Sequence, residues 1–294
     1  MRLLVIGHEG YIGSGLCKYL RRKHEVFGWG RVHDVRKLEL DFLRMNSIRA
    51  VINCAVSFDR VACRYDIDSP SEDVNVGGAR RLAKVLRGTD IAWIQISTKD
   101  VYGDGFSRQM IRELKYAYRP RELWRDDRGF APRTVYGKSK LMAEFVSESH
   151  PLSCVVRLST CYTDDHHRHP NWMVRFIEGM LDRRPLVVTH NGKQFRDPLH
   201  VYDLGRLIEK VLAKKAFGMK LNAGGGEENI LSLLEFIRLV DGNAKIQFIP
   251  GGDFGFAFSN EGTERALGWM PRILLRQRMP LLVENVSKRR NQGS

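Results

Sequence analysis

The sequence predicts an α/β protein, a doubly wound parallel sheet with a small C-terminal substrate-binding lobe. Three observations predict it. The chain opens on a continuous apolar run, Arg2-Leu3-Leu4-Val5-Ile6, suited to a strand buried on both faces, and passes at once into Gly7-His8-Glu9-Gly10-Tyr11-Ile12-Gly13. Apolar runs then alternate with amphipathic segments, the order that covers both faces of a parallel sheet with helices. The segments carrying chemically useful side chains fall just after strand ends, where such sheets bind ligands.

Taken in order, the first strand is expected at 2–6 and the second at 24–29, around Glu25-Val26-Phe27-Gly28-Trp29. The third, 50–56, closes on Asn53-Cys54-Ala55. Apolar runs at 91–97, 153–158, 186–189 and 245–249 read as the remaining strands. Helices are expected at 13–22, where Leu16, Tyr19 and Leu20 carry the helical pattern, and at 74–87, 134–148, 171–182, 202–213 and 231–240. Trp172 and the apolar positions after it read as helix core.

The glycine spacing G-x-x-G-x-x-G between a buried strand and a helix suits a Rossmann-type βαβ unit. The first glycine makes the tight turn, the second lets a pyrophosphate approach the backbone, and the third lets helix and strand pack closely. Gly7, Gly10, Tyr11, Ile12, Gly13 and Ala55 are therefore candidate cofactor-binding residues. Further on, Ser97-Thr98-Lys99-Asp100-Val101-Tyr102-Gly103 follows the fourth strand, and Tyr136-Gly137-Lys138-Ser139-Lys140 opens a helix. A tyrosine four residues before a lysine shares its helix face, so an ammonium near the phenol can stabilise the phenolate and make an acid/base.

The cofactor is NADP or NAD. An NAD-binding unit usually ends its second strand in an acid for the ribose hydroxyls. Here the strand ends in Gly30-Arg31, and arginine can pair with a 2′-phosphate, which favours NADP. Asp34 could substitute for the missing acid if the loop bends back.

With 294 residues and 43% hydrophobic content, the chain can bury a sizeable core. No apolar stretch reaches the ~20 residues that span a bilayer, so a membrane role is not expected and a cytoplasmic location is. Five cysteines without a C-x-x-C pair read as buried thiols. The net charge of +14 reads as a solvated basic surface or as attraction to phosphorylated substrates. No nucleic-acid module accompanies it, so nucleic acid is not an expected partner. The run Asp164-Asp165-His166-His167-Arg168-His169 reads as an exposed substrate-side loop, not a metal site, because consecutive loop side chains rarely converge on one ion.

The glycine triplet, Ser-Thr-x-x-Val-Tyr-Gly and Tyr-Gly-Lys-Ser-Lys, in this order, resemble the extended short-chain dehydrogenase/reductase (NAD-dependent epimerase/dehydratase) family over nearly the whole chain. Residues 192–204 resemble the segment that closes over the nucleotide diphosphate in sugar epimerases and dehydratases, while Asn222-Ala223-Gly224-Gly225-Gly226 followed by Ser232-Leu233-Leu234-Glu235, Arg157-Leu158-Ser159-Thr160 and the long stretch between Gly103 and Tyr136 are similar to CDP-tyvelose (CDP-paratose) 2-epimerases. The resemblance implies a nucleotide-diphosphate sugar substrate, hydride transfer, and a homodimer formed through helices, one of them carrying Tyr136 and Lys140. It implies that Thr98 polarises the substrate oxygen, that Tyr136 exchanges the proton, and that Lys140 lowers the tyrosine pKa and holds the nicotinamide ribose. Asp41 would contact adenine, and Asp100, Thr160 and Arg196 would line the substrate, Arg196 on its phosphate. A dehydratase commonly has Asp-Glu after the threonine, and Lys99-Asp100 stands there instead. An NADPH-dependent 4-keto-sugar reductase is the alternative outcome. A non-catalytic NAD(P)-binding regulator or RNA-binding scaffold is the alternative of another class.

By this reading residues 1–160 are mainly the dinucleotide-binding part. Residues 161–287 are mainly the lobe, with 200–222 returning to the first part, and 288–294 form a polar tail.

Overall fold

The computed structural model describes residues 1–30, 33–57, 73–164 and 171–292. Six parallel strands form the main sheet: β1 (Arg2–Ile6), β2 (Glu25–Trp29), β3 (Ala50–Asn53), β4 (Ala92–Thr98), β5 (Ser153–Leu158) and β6 (Lys220–Ala223), in the order β6-β5-β4-β3-β1-β2. The chain moves outward from β1 to β2, then crosses back to β3 on the other side of β1. A crevice opens where the winding reverses, at the carboxyl ends of β1 and β3.

Burial explains why these segments are strands. All residues of β3, β4 and β5 are buried, the condition under which a parallel strand reads as a continuous apolar run. On one face α1 (Tyr11–Leu20) lies beside α6 (Val201–Lys214), and Leu16, Leu20, Leu204 and Leu207 pack on Leu3, Val5 and Ile94. On the other, α2 (Leu40–Met45), α3 (Gly78–Leu86) and α4 (Val135–Ser147) set Leu43, Leu82, Leu86 and Ala143 against Leu4, Val51 and Trp93.

The lobe has its own core. Helices α5 (Trp172–Leu181), α7 (Leu233–Val240) and α9 (Leu275–Gln292), the last following the short α8 (Glu261–Leu267), enclose Met173, Ile177, Phe236, Leu275 and Leu282. The capping box of Ser232 and Glu235 starts α7. A fourth, aromatic cluster joins the stretch after β4 to the C-terminal region through Phe106, Trp124, Phe195, Phe256 and Phe258.

Three features differ from the sequence reading. The sixth strand of the main sheet is Lys220–Ala223, a short segment whose only strongly apolar residue is Leu221. The expected strands at 186–189 and 245–249 exist as Leu186–Thr189 and Ile246–Ile249, but they pair with each other in the lobe and do not enter the main sheet. The polar stretch read as a tail continues α9 through Gln292.

Candidate active site

The site is assembled from three strand ends and two helix starts. At the end of β1, Gly7 takes φ +78°, and the turn brings α1 so close that a Cβ at Gly13 would lie 2.1 Å from the Gly7 carbonyl oxygen. The N-cap of α1 is Gly10, which makes no side-chain cap. The first-turn N–H groups of Tyr11, Ile12 and Gly13 have no intrahelical acceptor, and together with the positive end of the helix dipole they suit a pyrophosphate. Ala55, just past β3, backs this turn, its nitrogen 2.9 Å from where a Gly7 Cβ would lie. The phenol of Tyr11 reaches the backbone of Thr163, accepting from its N–H at 3.3 Å and so tying the turn to the lobe. These residues fit a dinucleotide.

At the end of β4 the buried Thr98 caps a short 3-10 turn, Lys99–Tyr102. Its hydroxyl donates to the Asp100 carboxylate at 3.1 Å, while Lys99 Nζ binds the other carboxylate oxygen at 2.9 Å. Opposite, Thr134 caps α4 by accepting from the Gly137 N–H at 3.0 Å, which fixes Tyr136 in the first turn. The Thr98 hydroxyl lies close enough to the Tyr136 phenol to act on it. Burial, and then the Asp100 carboxylate, push the phenol above its ordinary pKa, while Thr98 pulls it down.

Lys140 lies one turn further along α4, and its ammonium donates to the Ile96 carbonyl at 2.5 Å. Burial lowers it from 10.5 to about 8, against the opposing influence of Cys54 and Glu144. Burial, Asp100 and Thr98 are the influences on the Tyr136 phenol, and the Lys140 ammonium is taken by Ile96. Helical spacing places the two residues on one face, but the strand carbonyl captures the ammonium.

Beneath these groups lies a buried charged network absent from the sequence reading. Glu144, four residues past Lys140, is 0% exposed and Arg157 on β5 is 1% exposed. Arg157 Nη2 and Nε donate to Glu144 at 2.7 and 3.1 Å, and the Ser97 hydroxyl donates to the same carboxylate. Arg157 Nη1 donates to the Tyr102 hydroxyl at 2.7 Å, which donates in turn to Asn222 on β6 at 3.0 Å. The signal was the helical repeat Tyr136, Lys140, Glu144, which sets all three on one stripe.

The other expected site residues are placed as follows. Arg196, expected on a phosphate, is gripped by Asp253 through two hydrogen bonds of 2.8 and 2.9 Å. Thr160 begins a short strand, Thr160–Tyr162, that pairs with Pro198–His200. Asp41 is exposed in the first turn of α2. Asp34, the substitute acid, accepts from the Arg36 backbone at 2.9 Å and from its guanidinium, so it is engaged within its own turn. Asp197 turns into the core, where burial raises its carboxyl to about 7 against the Phe258 N–H it accepts at 2.9 Å. Asp164, expected in an exposed loop, is buried between His200 at 3.0 Å and Arg278. Arg31, Cys63 and residues 165–170 lie outside the described residues. Cys17, Cys54, Cys154 and Cys161 are free thiols. Cavities of about 390 and 330 Å³, lined mainly from the C-terminal half, include none of Thr98, Tyr136 or Lys140. Among the described residues no helix is long and apolar enough to cross a membrane.

The model of the NAD dependent epimerase/dehydratase family matches residues 3–224. CDP-paratose 2-epimerase of Salmonella typhi is 27% identical over 328 residues, covering 93% of this chain and 95% of that protein. The low-salt glycan biosynthesis protein Agl12 of Haloferax volcanii is 25% identical over 306 residues, covering 92% and 94%. Among solved structures, UDP-glucuronic acid 4-epimerase from Bacillus cereus, in complex with UDP-glucuronic acid and NAD, superposes with a TM-score of 0.82 at 21% identity. It covers 98% of this chain and 99% of its own.

Proposed function

Because the chain belongs to the NAD dependent epimerase/dehydratase family and is an enzyme of that family, we propose that it moves a hydride at a sugar carbon of a nucleotide-diphosphate sugar, with Tyr136 as the acid/base. The observation that carries this reading is the meeting of Thr98, at the carboxyl end of β4, with Tyr136 in the first turn of α4, and Lys140 one helical turn further along that helix. The bound nicotinamide would supply and take back the hydride. Tyr136 takes the proton from a sugar hydroxyl or returns it to a ketone, and Thr98 donates a hydrogen bond to the same oxygen as charge develops there. Lys140, one turn along the same helix, would give up the Ile96 carbonyl to offer its ammonium to the nicotinamide ribose. The glycine turn and the start of α1 take the pyrophosphate.

Epimerisation is favoured over dehydration, because Lys99 stands in the first of the two positions where a dehydratase carries its acid pair. It is paired with Asp100 and lies 5.2 Å above the Phe256 ring. Two named relatives that are epimerases, one of a CDP-sugar and one of a UDP-sugar, support a nucleotide sugar as substrate. A ketoreductase using NADP(H), which Arg31 favours on charge alone, is the second reading. A homodimer through α4 fits this reading, since Met142 and Phe145 are 46% and 48% exposed on that helix.

The test is Tyr136→Phe. Incubated with UDP-, CDP- and dTDP-sugars and followed by NMR, wild type should produce an epimer, and the variant should lose that turnover by at least about a hundredfold while still binding NADH. Turnover unchanged by the substitution would remove Tyr136 from the mechanism. A wild type that binds the sugars without converting any would favour the non-catalytic alternative.

A further inference from the structure

The carboxyl end of β2 is where a dinucleotide-binding unit ordinarily carries an acidic side chain for the adenosine ribose. This chain has Gly28, Trp29 and Gly30 there. Residues 28 and 30 are two apart and open on the same face of the strand, and that face is filled from the glycine loop. The His8 imidazole lies over Gly28, where an added Cβ would come within 2.4 Å of its Cδ2. The Glu9 carboxylate lies over Gly30, where an added Cβ would come within 2.5 Å of Cδ and Oε2. The turn after β1 thus lays an acid onto the strand end that lacks one.

We infer that Glu9 takes the place of the missing β2 acid, accepting from the ribose hydroxyls and repelling a 2′-phosphate, so that the enzyme selects NAD(H) over NADP(H). The inference rests on the dinucleotide reading above. A side chain at residue 30 would displace the Glu9 carboxylate from where it lies, so the glycine there leaves that place to the loop acid. His8 fills the trough over Gly28, beside the place where Glu9 lies over Gly30. Charge supplies the selectivity, since the exposed Glu9 carboxylate repels a phosphate placed against it, while the same carboxylate accepts hydroxyl hydrogen bonds. Arg31 argues the opposite way on charge, so the two residues predict opposite preferences and one titration separates them.

The experiment titrates wild type, Glu9→Gln and the double variant Glu9→Ser with Gly30→Asp against NADH and NADPH. Any co-purified dinucleotide is first removed, and nicotinamide fluorescence reports binding. Wild type is expected to bind NADH at least about tenfold more tightly than NADPH, and Glu9→Gln to narrow that ratio by about tenfold or more. The double variant, with the acid moved to the strand, should restore the wild-type preference. A wild type that prefers NADPH, or a ratio unchanged in Glu9→Gln, overturns the assignment of Glu9 and leaves the dinucleotide reading standing. Binding of neither dinucleotide by wild type overturns both.

Discussion

Replacing Lys140 by methionine should make the protein more stable while removing its activity, and the size of the gain follows from the structure. Lys140 is 3% exposed, and burial lowers its ammonium from 10.5 to about 8. At about 1.4 kcal/mol per pKa unit, keeping that charge in place costs roughly 3 kcal/mol at pH 7. Methionine preserves an unbranched side chain without the charge, and forfeits the hydrogen bond to the Ile96 carbonyl, worth about 1 kcal/mol. The variant should therefore be more stable by about 2 kcal/mol at pH 7. The pH dependence isolates the cause. Below about pH 8 the lysine is protonated in both states, whereas between about pH 8 and 10.5 the folded protein has released the proton and the unfolded chain still holds it. Wild-type stability therefore rises relative to the variant through that window, and the variant's advantage shrinks by roughly 2 to 3 kcal/mol between pH 7 and pH 10. Urea unfolding of both proteins at pH 7, 8.5 and 10, followed by circular dichroism, measures it. A stability gap that does not change with pH would refute the argument that this charge is held against burial.

The charged pair below the site behaves differently, because each partner neutralises the other. Glu144→Ala should cost about 3–5 kcal/mol by stranding the Arg157 guanidinium. The double variant Glu144→Leu with Arg157→Met should recover most of that loss, and a double-mutant cycle in urea reads both. A cost below about 1 kcal/mol for the single variant would mean that water reaches the pair. Gly13→Ala places a methyl 2.1 Å from the Gly7 carbonyl oxygen, so the turn must open. Dinucleotide affinity should fall at least about tenfold, and an unchanged affinity in calorimetry would show that the close approach is dispensable.

What could be read from the sequence was whatever depends on neighbours along the chain. β5 was legible to the residue, because its apolar centre Cys154-Val155-Val156 marks a strand buried on both faces even with Arg157 inside it. β6 was not: Lys220-Leu221-Asn222-Ala223 owes its place to β5 alongside it and to Thr263, whose hydroxyl donates to the Asn222 carbonyl at 2.7 Å. The runs at 186–189 and 246–249 were recognisable as strands, but periodicity reports burial and not partner, and they belong to the lobe. α9 escaped because Pro280 interrupts it and its last turns are polar.

The same distinction divides the site. Thr98, Tyr136 and Lys140 could be proposed from the sequence because a motif at a strand end and a four-residue helical spacing are one-dimensional signals. That Arg196 is already bound could not be seen, since its partner Asp253 stands 57 residues away. Most instructive is the end of β2, where two glycines in the sequence signify only a lost acid and so pointed to Arg31. In the folded chain the same glycines are room, which His8 and Glu9 fill. The sign of the charge facing the ribose thus depends on which loop reaches the strand, a fact of packing that no spacing along β2 encodes.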